Sequence, residues 1–416
     1  MTNKYGLIGE HLTHSYSCEI HRKLADYTYE LMELPPEAVG PYLLSGDFAA
    51  INVTIPYKKT VIPYLNHISD RARQVGAVNT VVRREDGLYG YNTDFAGMEA
   101  LIRHTGLDLA GRKVLILGSG GTCATATAVA RHLGAREVYT LSRHPEPGSG
   151  AITYEEARRT HADAQILINT TPVGMYPRVE GKPLDIDDYP ALEGVLDAIY
   201  HPLRTNLILD AEERGIPAAG GLYMLVAQAV YASALFLGKQ PREEDIDRVF
   251  SAMTLEKQNI VLIGMPSAGK TTVGTRLSRR TGRPFVDTDQ RLAELAGMPA
   301  SVYLSKKGER AFRDLESQVV REAALRDGCI IATGGGVILR QENLRALRQN
   351  GVLVFLDRAL ENLLPTADRP LSRNPAALAA LYQERYSRYL AAADIRVNAD
   401  VTVEQVADRI LKEVQA

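Results

Sequence analysis

The sequence predicts an α/β protein made of two successive parts, each built on parallel strands. Short runs rich in Val, Ile and Leu alternate with helical patterns, which is typical of parallel sheets. One run leads into a glycine-rich turn at residues 118–121, and another leads into a G-x-x-x-x-G-K-T sequence at residues 264–271. Such turns between a strand and a helix are typical of sites that hold nucleotide phosphates.

The composition excludes several classes of protein. The 416 residues carry a net charge of −2, so no strongly basic surface indicates a nucleic-acid partner. The three cysteines are far apart, which favours a reducing compartment over a disulfide framework. The N-terminus lacks the apolar segment of a signal peptide, and no apolar run reaches the roughly 18 residues needed to span a bilayer. We therefore expect a cytoplasmic protein without a membrane or nucleic-acid partner.

The first block of the chain mixes strands and helices. Residues 4–9 and 50–56 are predicted as strands, and residues 20–32 as a helix. Lys58 follows the second strand and Asp94 begins a later helix. A lysine paired with an aspartate can protonate the alkoxide that forms when hydride reaches a carbonyl, whereas an unpaired lysine is usually a solvated surface residue. Spacing alone leaves both interpretations open.

The second block predicts a dinucleotide site. The turn Gly118, Ser119, Gly120 and Gly121 stands between a strand and a helix, where it either holds a pyrophosphate or serves as a plain tight turn. Arg143 follows the next strand, at the position where a carboxylate favours NAD and a basic residue favours the 2′-phosphate of NADP. The sequence therefore favours NADP.

The third block begins after a strong helical pattern at residues 222–237 and a shorter one at 242–250. The G-x-x-x-x-G-K-T sequence follows a predicted strand and precedes a helical pattern, which makes a chance match improbable. Lys270 would neutralise phosphate charge and Thr271 would offer a hydroxyl to Mg²⁺. The predicted ATP-binding residues are Gly264, Met265, Pro266, Ser267, Ala268, Gly269, Lys270, Thr271 and Thr272.

Residues 5–238 resemble shikimate dehydrogenase through a series of motifs in the family's order. They include Ser15-x-Ser17, Asn52-x-Thr54-x-x-x-Lys58, Asn79-Thr80, Asn92-Thr93-Asp94, Asn169-Thr170-Thr171, Asp197-x-x-Tyr200 and Gln228. The resemblance implies Lys58 and Asp94 as the catalytic pair. It implies that shikimate is bound by Ser15, Ser17, Thr54, Lys58, Asn79, Asp94, Tyr200 and Gln228. It implies cofactor contacts at the 118–121 turn, Ser142, Arg143, Thr170 and Gly221.

This resemblance has local departures. Cys18 stands where the family usually has proline, and the proline expected after the first strand is replaced within residues 9–11. His144 replaces a hydroxyl residue beside Arg143, which would alter the contact with the 2′-phosphate without removing the guanidinium.

Residues 258–413 resemble shikimate kinase. The motifs are Asp287-x-Asp289, Arg313-x-x-Glu316, Gly334-Gly335-Gly336, Asp368-Arg369-Pro370-Leu371 and Arg385-x-x-x-Tyr389. Each alone has an ordinary explanation, such as a solvated turn or a flexible glycine loop, but all five follow the phosphate-binding loop in the right order. The resemblance implies a P-loop kinase domain with a five-stranded parallel sheet.

The kinase resemblance also implies roles. Asp289, Arg313, Gly335, Gly336 and Arg385 would bind shikimate, with the two arginines on its carboxylate. Asp287 would hold Mg²⁺ together with Thr271. Catalysis would involve Lys270, Asp289 and Arg369, and Arg369 would also contact ATP. The segment before Arg369 lacks the Arg-Thr usual in the family and carries Pro365 there, so we expect weaker adenine contacts.

Together the resemblances imply a bifunctional enzyme of aromatic amino acid biosynthesis. It would reduce 3-dehydroshikimate with NADPH and then phosphorylate shikimate with MgATP. A homodimer is a further expectation for its assembly. The expected layout is a substrate domain at residues 1–100 and 222–250, a Rossmann-like NADP domain at 101–221, a linker at 251–257 and the kinase at 258–416.

Two other interpretations compete with this one. One is a quinate or shikimate dehydrogenase that prefers NAD, joined to a related small-molecule kinase; Arg143 argues against it because it favours NADP. The other is a regulatory module that senses ligands with inactive sites. Such a module should have lost Lys58, Asp94, Lys270 or Asp289, and all four are present.

Overall fold

The computed structural model describes residues 4–12, 15–364 and 374–415. The chain divides into two compact units, with the boundary between Met253 and Thr254. Two sheets belong to the first unit and one to the second, which confirms the predicted α/β fold class. Within the described ranges, no helix combines the length and the apolar character needed to cross a bilayer.

The first sheet is mixed and has six strands. They are β1 Tyr5–Gly9, β2 Tyr29–Glu33, β3 Ala50–Val53, β4 His67–Ile68, β5 Thr80–Arg84 and β6 Gly87–Tyr91, in the order β2-β1-β3-β5-β6-β4. The helices of this part are α1 Ser17–Leu24, α2 Pro36–Ser45, α3 Asp70–Val75 and α4 Thr93–His104. β1 pairs in parallel with β2 and β3, whereas β5 is antiparallel to both its neighbours.

The predicted helix at residues 20–32 is wrong beyond its first part. α1 ends at Leu24, and Tyr29–Glu33 forms the edge strand β2. Aromatic and β-branched residues at Tyr27, Thr28 and Tyr29 favour an extended chain. The parallel pairing of Tyr29–Glu33 with Tyr5–Gly9 then satisfies the backbone of the strand, and a local pattern does not reveal that pairing.

The second sheet is entirely parallel and has the Rossmann-like arrangement predicted. Its strands are β7 Lys113–Leu117, β8 Glu137–Leu141, β9 Ile166–Asn169, β10 Gly194–Asp197 and β11 Ala218–Ala219, in the order β11-β10-β9-β7-β8. The accompanying helices are α5 Gly121–His132, α6 Tyr154–Thr160 and α7 Asn206–Glu213. The residues of β7, β9 and β10 are buried, as expected for strands covered on both faces.

Two further helices complete the first unit, α8 Leu222–Leu237 and α9 Glu243–Lys257. α8 packs closely on α4, because Gly97 brings the backbones together: a Cβ at Gly97 would lie 2.7 Å from the carbonyl oxygen of Met224. Residues 251–257, predicted as a linker, form the last turns of α9. Ala, Met, Leu, Glu and Lys dominate this stretch and are good helix formers, so the helix continues across the boundary between the units.

The second unit contains a five-stranded parallel sheet, as predicted. Its strands are β12 Asn259–Ile263, β13 Phe285–Asp287, β14 Ile330–Ala332, β15 Gly351–Asp357 and β16 Ile395–Asn398, in the order β13-β14-β12-β15-β16. The helices are α10 Lys270–Thr281, α11 Thr288–Ala296, α12 Ala300–Ala324, α13 Gln341–Asn350, α14 Pro375–Ala392 and α15 Val403–Gln415. α12 is interrupted at Gly308, where φ is +82°. Short 3₁₀ helices occur at Ile62–Tyr64, Ile186–Asp188, Val337–Leu339 and Leu360–Asn362.

Candidate active sites

Lys58 and Asp94 form a close pair in the first unit. Lys58 Nζ lies 2.6 Å from Asp94 Oδ2, and the side chains are only 19% and 13% exposed. Asp94 occupies the first turn of α4, where the helix dipole favours a negative charge, and Asn92 caps this helix by accepting a bond from Phe95 N at 3.1 Å. The pair is therefore shielded from bulk water, so the lysine is not a solvated surface residue.

Two predicted substrate ligands meet beside this pair, at Thr93. Asn79 Oδ1 accepts a bond from the backbone N of Thr93 at 2.7 Å, and Asn79 Nδ2 donates to Thr93 Oγ1 at 3.0 Å. Gln228, on α8, has its Oε1 3.3 Å from the same hydroxyl. The structure thus brings Lys58, Asp94, Asn79 and Gln228 to one end of α4.

A series of buried hydrogen bonds leads from Tyr29 to Asn79. The motif-based analysis gave this series no role. Asn52 Nδ2 donates to Thr80 Oγ1 at 3.0 Å, and Thr80 Oγ1 donates to Asn79 Oδ1 at 3.1 Å. Tyr29 Oη donates to Asn52 Oδ1 at 2.7 Å. Because buried polar groups are costly unless paired, this series fixes the orientation of the Asn79 amide.

Of the remaining predicted substrate ligands, Ser15, Thr54 and Tyr200 lie on loops, and Ser17 is the first residue of α1. Ser15 Oγ donates to Ser17 Oγ at 3.0 Å, and Tyr16 between them packs its ring 5.2 Å from that of Tyr200. Burial raises the pKa of Tyr200, so this phenol stays neutral. Thr54 follows β3, and its Cγ2 lies 2.6 Å from where a Cβ at Gly9 would stand. His14, which directly precedes Ser15 in the sequence, lies outside the described residues.

Asp197 supports the Tyr200 loop and is completely buried at the end of β10. Its carboxylate accepts bonds from Asn169 Nδ2 at 3.0 Å, Ile199 N at 3.0 Å and Thr205 Oγ1 at 2.7 Å. Burial raises its pKa to about 6, although these three donors act in the opposite direction. The carboxylate therefore joins the end of β9, the loop after β10 and the start of α7, and it titrates in the weakly acidic range.

A cavity of about 340 Å³ opens at the glycine-rich turn and runs along α5. Gly118, Ser119 and Gly120 line it, together with Thr127, Arg131, Thr140 and Ser149 among others. Gly118 has φ +123°, and a Cβ there would lie 2.6 Å from Thr170 Oγ1, so the turn requires glycine. Nothing within 4 Å would obstruct a Cβ at Gly120. The open turn at the start of a twelve-residue helix suits the pyrophosphate of a dinucleotide.

Gly121 connects the glycine-rich turn with the Lys58–Asp94 pair. A Cβ at Gly121 would lie 4.0 Å from Lys58 Cδ, which places the dinucleotide turn beside the predicted proton donor. Gly221, another predicted cofactor contact, lies against Ala198, because a Cβ there would overlap the Ala198 carbonyl.

The basic residue that lines the cavity is Arg131, which the motif analysis did not single out. Arg143 stands on the exposed turn after β8, where Ser142 Oγ accepts a bond from His144 N at 3.2 Å. Arg131 lies near the C-terminal end of α5 and carries no recognisable motif. Its place on the cavity wall could be found only once the cavity was known.

The second unit has the phosphate-binding loop in a shape that glycine allows. Gly264 has φ +151° and Gly269 has φ +95°, and Ser267 also has positive φ, at +65°. Lys270 Nζ donates to the carbonyl oxygens of Gly264 at 2.8 Å and Met265 at 2.9 Å, so the ammonium lies within the curve of the loop. This is the cradle that nucleotide phosphates require.

The other loop residues complete this cradle. Met265 and Ala268 are buried against the sheet, Pro266 lies beside Gly335, and Thr272 is exposed on α10. A Cβ at Gly335 would lie 3.1 Å from Pro266 Cδ, so the glycine-rich loop at residues 334–336 touches the phosphate-binding loop.

Thr271 and Asp287 are suited to a magnesium ion held jointly with phosphates. Thr271 Oγ1 donates to Asp287 Oδ2 at 2.7 Å, and the other carboxylate oxygen caps α11 by accepting from Asp289 N at 3.0 Å. Mg²⁺ usually takes one or two protein oxygens and completes its shell with water and phosphate. Among the described residues, no group of three or more His, Cys, Asp or Glu side chains could hold a metal by itself.

Four charged residues surround the glycine loop at residues 334–336. Arg313 Nη1 donates to Glu316 Oε2 at 2.7 Å, and both side chains are buried. A Cβ at Gly334 would lie 2.6 Å from Asp289 Oδ1 and 2.9 Å from Glu316 Oε1. Arg385 is also buried, and its Nη1 donates to the carbonyl oxygen of Gly335 at 3.1 Å. Two guanidinium groups and two carboxylates thus face one loop.

Glu316 has no role in the motif-based assignment, although it is the partner of Arg313. Burial raises its pKa, and the Arg313 guanidinium opposes that shift. The spacing of three residues on α12 could have indicated the ion pair. Arg369 and Pro365, which carry the predictions about the lid, lie outside the described residues.

Comparisons with known proteins match both units. A family model described as the shikimate dehydrogenase substrate binding domain matches residues 7–81, and one described as shikimate kinase matches residues 266–415. A shikimate dehydrogenase (NADP(+)) from Clostridium beijerinckii is 36% identical over 247 residues, covering 56% of this chain and 91% of that protein. Another from Geobacillus kaustophilus is 34% identical over 269 residues, covering 60% and 96%.

Solved structures show the same likeness. A chorismate mutase/shikimate 5-dehydrogenase fusion protein from Clostridium acetobutylicum has a TM-score of 0.58 and 33% identity, covering 61% of this chain and 97% of that chain. A shikimate 5-dehydrogenase from Thermus thermophilus, in complex with NADP(H) and shikimate, has a TM-score of 0.54 and 28% identity, covering 60% and 99%.

The fold and the two sites define an oxidoreductase of the two-domain, dinucleotide-binding class that is joined to a P-loop phosphotransferase. The relatives specify the kind of oxidoreductase. The chain belongs to the shikimate dehydrogenase family, and a shikimate kinase domain follows in the same chain.

Proposed function

We propose that this chain catalyses two consecutive reactions, the NADPH-dependent reduction of 3-dehydroshikimate to shikimate and the MgATP-dependent phosphorylation of the shikimate 3-hydroxyl. The observation that carries the first reaction is the 2.6 Å pair of Lys58 and Asp94 beside Gly121. The second rests on the same chain carrying a phosphate cradle next to a loop faced by Arg313 and Arg385. The product of the first site is the substrate of the second.

In the dehydrogenase site, bound NADPH supplies the hydride that reduces the ketone. The Lys58 ammonium donates a hydrogen bond to the ketone oxygen and, with Asp94, supplies the proton that this oxygen gains. Asn79 and Gln228, which both contact the Thr93 hydroxyl, orient the ring hydroxyls. Ser15, Ser17 and Tyr200 provide short polar contacts for the substrate carboxylate, which suits a small polyol acid.

In the kinase site, MgATP supplies the phosphoryl group. Arg313 and Arg385 hold the carboxylate with paired N–H donors, and Glu316 keeps the Arg313 fork in place. Asp289 accepts the hydrogen of the attacking 3-hydroxyl. Lys270 neutralises charge on the phosphates, and Thr271 with Asp287 would hold Mg²⁺. Phosphoryl transfer depends mainly on positioning and charge, so these residues suffice.

One assay tests both reactions. The purified chain receives 3-dehydroshikimate, NADPH and MgATP, and the loss of NADPH and the release of ADP are followed together. Lys270→Ala should abolish ADP release alone. Lys58→Ala should abolish both signals, and added shikimate should restore ADP release. If the wild-type chain consumes NADPH but releases no ADP when shikimate is added, the kinase half of the proposal is wrong.

A cytoplasmic location and a homodimer remain part of the proposal. Size-exclusion chromatography with light scattering on the purified chain tests the dimer, because a mass of 45.6 kDa would identify a monomer.

A further inference from the structure

Arg358 stands at the ligand-binding edge of the second unit and belongs to none of the motifs above. It directly follows β15, which pairs in parallel with β12, the strand that leads into the phosphate-binding loop. The carboxyl ends of adjacent parallel strands lie at one edge of a sheet, and ligands of open α/β sheets bind there. Arg358 therefore extends from the strand next to the phosphate cradle.

The guanidinium group of Arg358 reaches that cradle. Its Nη1 lies 4.0 Å from the position that a Cβ at Gly269 would take. Gly269 has φ +95° and is the N-cap of α10, so its backbone belongs to the part of the loop that curves around phosphates. A positive charge at this place adds to that of Lys270 without depending on the G-x-x-x-x-G-K-T sequence.

The carboxylate of Asp400 holds Arg358 in this position. Arg358 Nε lies 3.8 Å from Asp400 Oδ1, which is an ion pair but too long for a hydrogen bond. Asp400 is itself fixed, because it accepts bonds from Ala359 N at 2.9 Å and Asn362 Nδ2 at 2.9 Å. Arg358 Nε is buried and makes no hydrogen bond to the described part of the protein. Asp400 thus orients the guanidinium through Nε, while Nη1 faces Gly269.

We propose that Arg358 is a further ATP-binding residue, whose guanidinium donates to the nucleotide phosphates beside Gly269. This inference rests on the proposed kinase function and deepens it. Arginine suits this role because its planar fork binds phosphate oxygens in pairs and keeps its charge at any physiological pH. Asp400 acts as a positioning residue that directs the fork toward the cradle. The contact offsets part of the adenine binding that the sequence of the lid predicts to be weak.

The test measures nucleotide binding and kinase kinetics in the full-length chain. Arg358→Ala should weaken ADP binding in isothermal titration about 10- to 100-fold, as expected for a lost charge-assisted hydrogen bond. Arg358→Lys should recover part of the affinity, because it retains the charge. The KM for shikimate and the NADPH-dependent rate should stay within about twofold of wild type, since neither depends on this contact. Arg388→Ala, which removes an exposed arginine from α14, is the matched control and should change nothing.

Three outcomes would overturn the inference. If wild type binds ADP and Arg358→Ala binds it equally well, Arg358 does not contact the nucleotide. If Arg358→Lys recovers nothing and the KM for shikimate rises together with the loss of ADP binding, Arg358 only supports the loop around Asp400. If wild type binds no ADP and releases none from MgATP, the proposed kinase function is wrong, and the inference about Arg358 is wrong for the same reason. An unchanged KM for shikimate shows that the second unit of each variant is folded, and unchanged NADPH oxidation shows the same for the first unit.

Discussion

Lys58 Nζ and Asp94 Oδ2 lie 2.6 Å apart although the residues are separated by 36 positions in the sequence. One follows a strand of the first sheet and the other begins α4, so the pair exists only because the fold brings the two ends together. Both side chains are largely covered, which strengthens their attraction relative to an exposed pair.

We expect Lys58→Ala to lower kcat for 3-dehydroshikimate reduction by about 10²- to 10⁴-fold, because it removes the predicted proton donor. Lys59→Ala is a matched control, since Lys59 is the exposed neighbour in the same loop. NADPH oxidation under saturating substrate measures both. A Lys58→Ala enzyme within about tenfold of wild type would show that another group donates the proton.

Asp197 predicts a pH-dependent stability. Burial raises the pKa of Asp197 to about 6 in the folded state, whereas an aspartate in the unfolded chain has a pKa of about 3.9. The folded state therefore binds the proton more tightly than the unfolded state. The free energy of unfolding should therefore fall as pH rises from about 4 to about 6 and then level off. The total contribution is on the order of 3 kcal/mol.

The measurement for Asp197 compares urea midpoints of wild type and Asp197→Asn across this pH range, followed by circular dichroism. The second unit is common to both proteins, so the difference isolates the carboxylate. The urea midpoint of the Asp197→Asn variant should rise relative to that of wild type as pH rises. Parallel pH profiles for the two proteins would contradict a raised pKa.

Gly336→Ala should impair the kinase without affecting the dehydrogenase. A Cβ at position 336 would overlap the Arg313 guanidinium, with Nη2 only 2.7 Å away, so the fork would be displaced from the substrate carboxylate. We expect the KM for shikimate to rise about 10- to 100-fold, the effect of one lost charge-assisted bond. ADP release against shikimate concentration measures it, and NADPH oxidation by the same protein is the internal control. An unchanged KM would separate Arg313 from substrate binding.

Arg131 and Arg143 give different predictions for cofactor preference. If the cavity along α5 holds the 2′-phosphate end of NADP, Arg131→Ala should lower the preference for NADPH over NADH about tenfold. Arg159→Ala, at an exposed position on α6, is the control. Initial rates with each nicotinamide measure the ratio. A preference that collapses only in Arg143→Ala would assign the 2′-phosphate to the turn after β8 instead.

The parallel sheets and the phosphate-binding loop could be predicted because both depend on local signals. Apolar runs between glycine turns and helical patterns indicate the two parallel sheets, and the G-x-x-x-x-G-K-T sequence needs no distant partner. The strand at Tyr29–Glu33 could not be predicted in this way, because only its pairing with Tyr5–Gly9 distinguishes it from the end of a helix.

The site residues divide along the same line. Motifs predicted Lys58 and Asp94, but the 2.6 Å approach that removes Lys58 from solvent depends on tertiary packing. Arg131 and Arg358 carry no motif, and their positions are revealed only by the cavity along α5 and by the approach to Gly269. Long side chains on helices and at strand ends can point in many directions, so a sequence pattern does not tell which of them reach a ligand.

The contact of Gly221 with Ala198 constrains how this chain can change over evolutionary time. At position 336 the obstacle to a larger residue is the side chain of Arg313. A prior substitution of Arg313 by a smaller residue could therefore make room for a side chain at position 336. At position 221 the obstacle is the main-chain carbonyl of Ala198, which every amino acid possesses. No second-site substitution can shorten that group. Diversity at position 221 therefore requires the two loops to separate, and lineages that keep this loop spacing should keep glycine there.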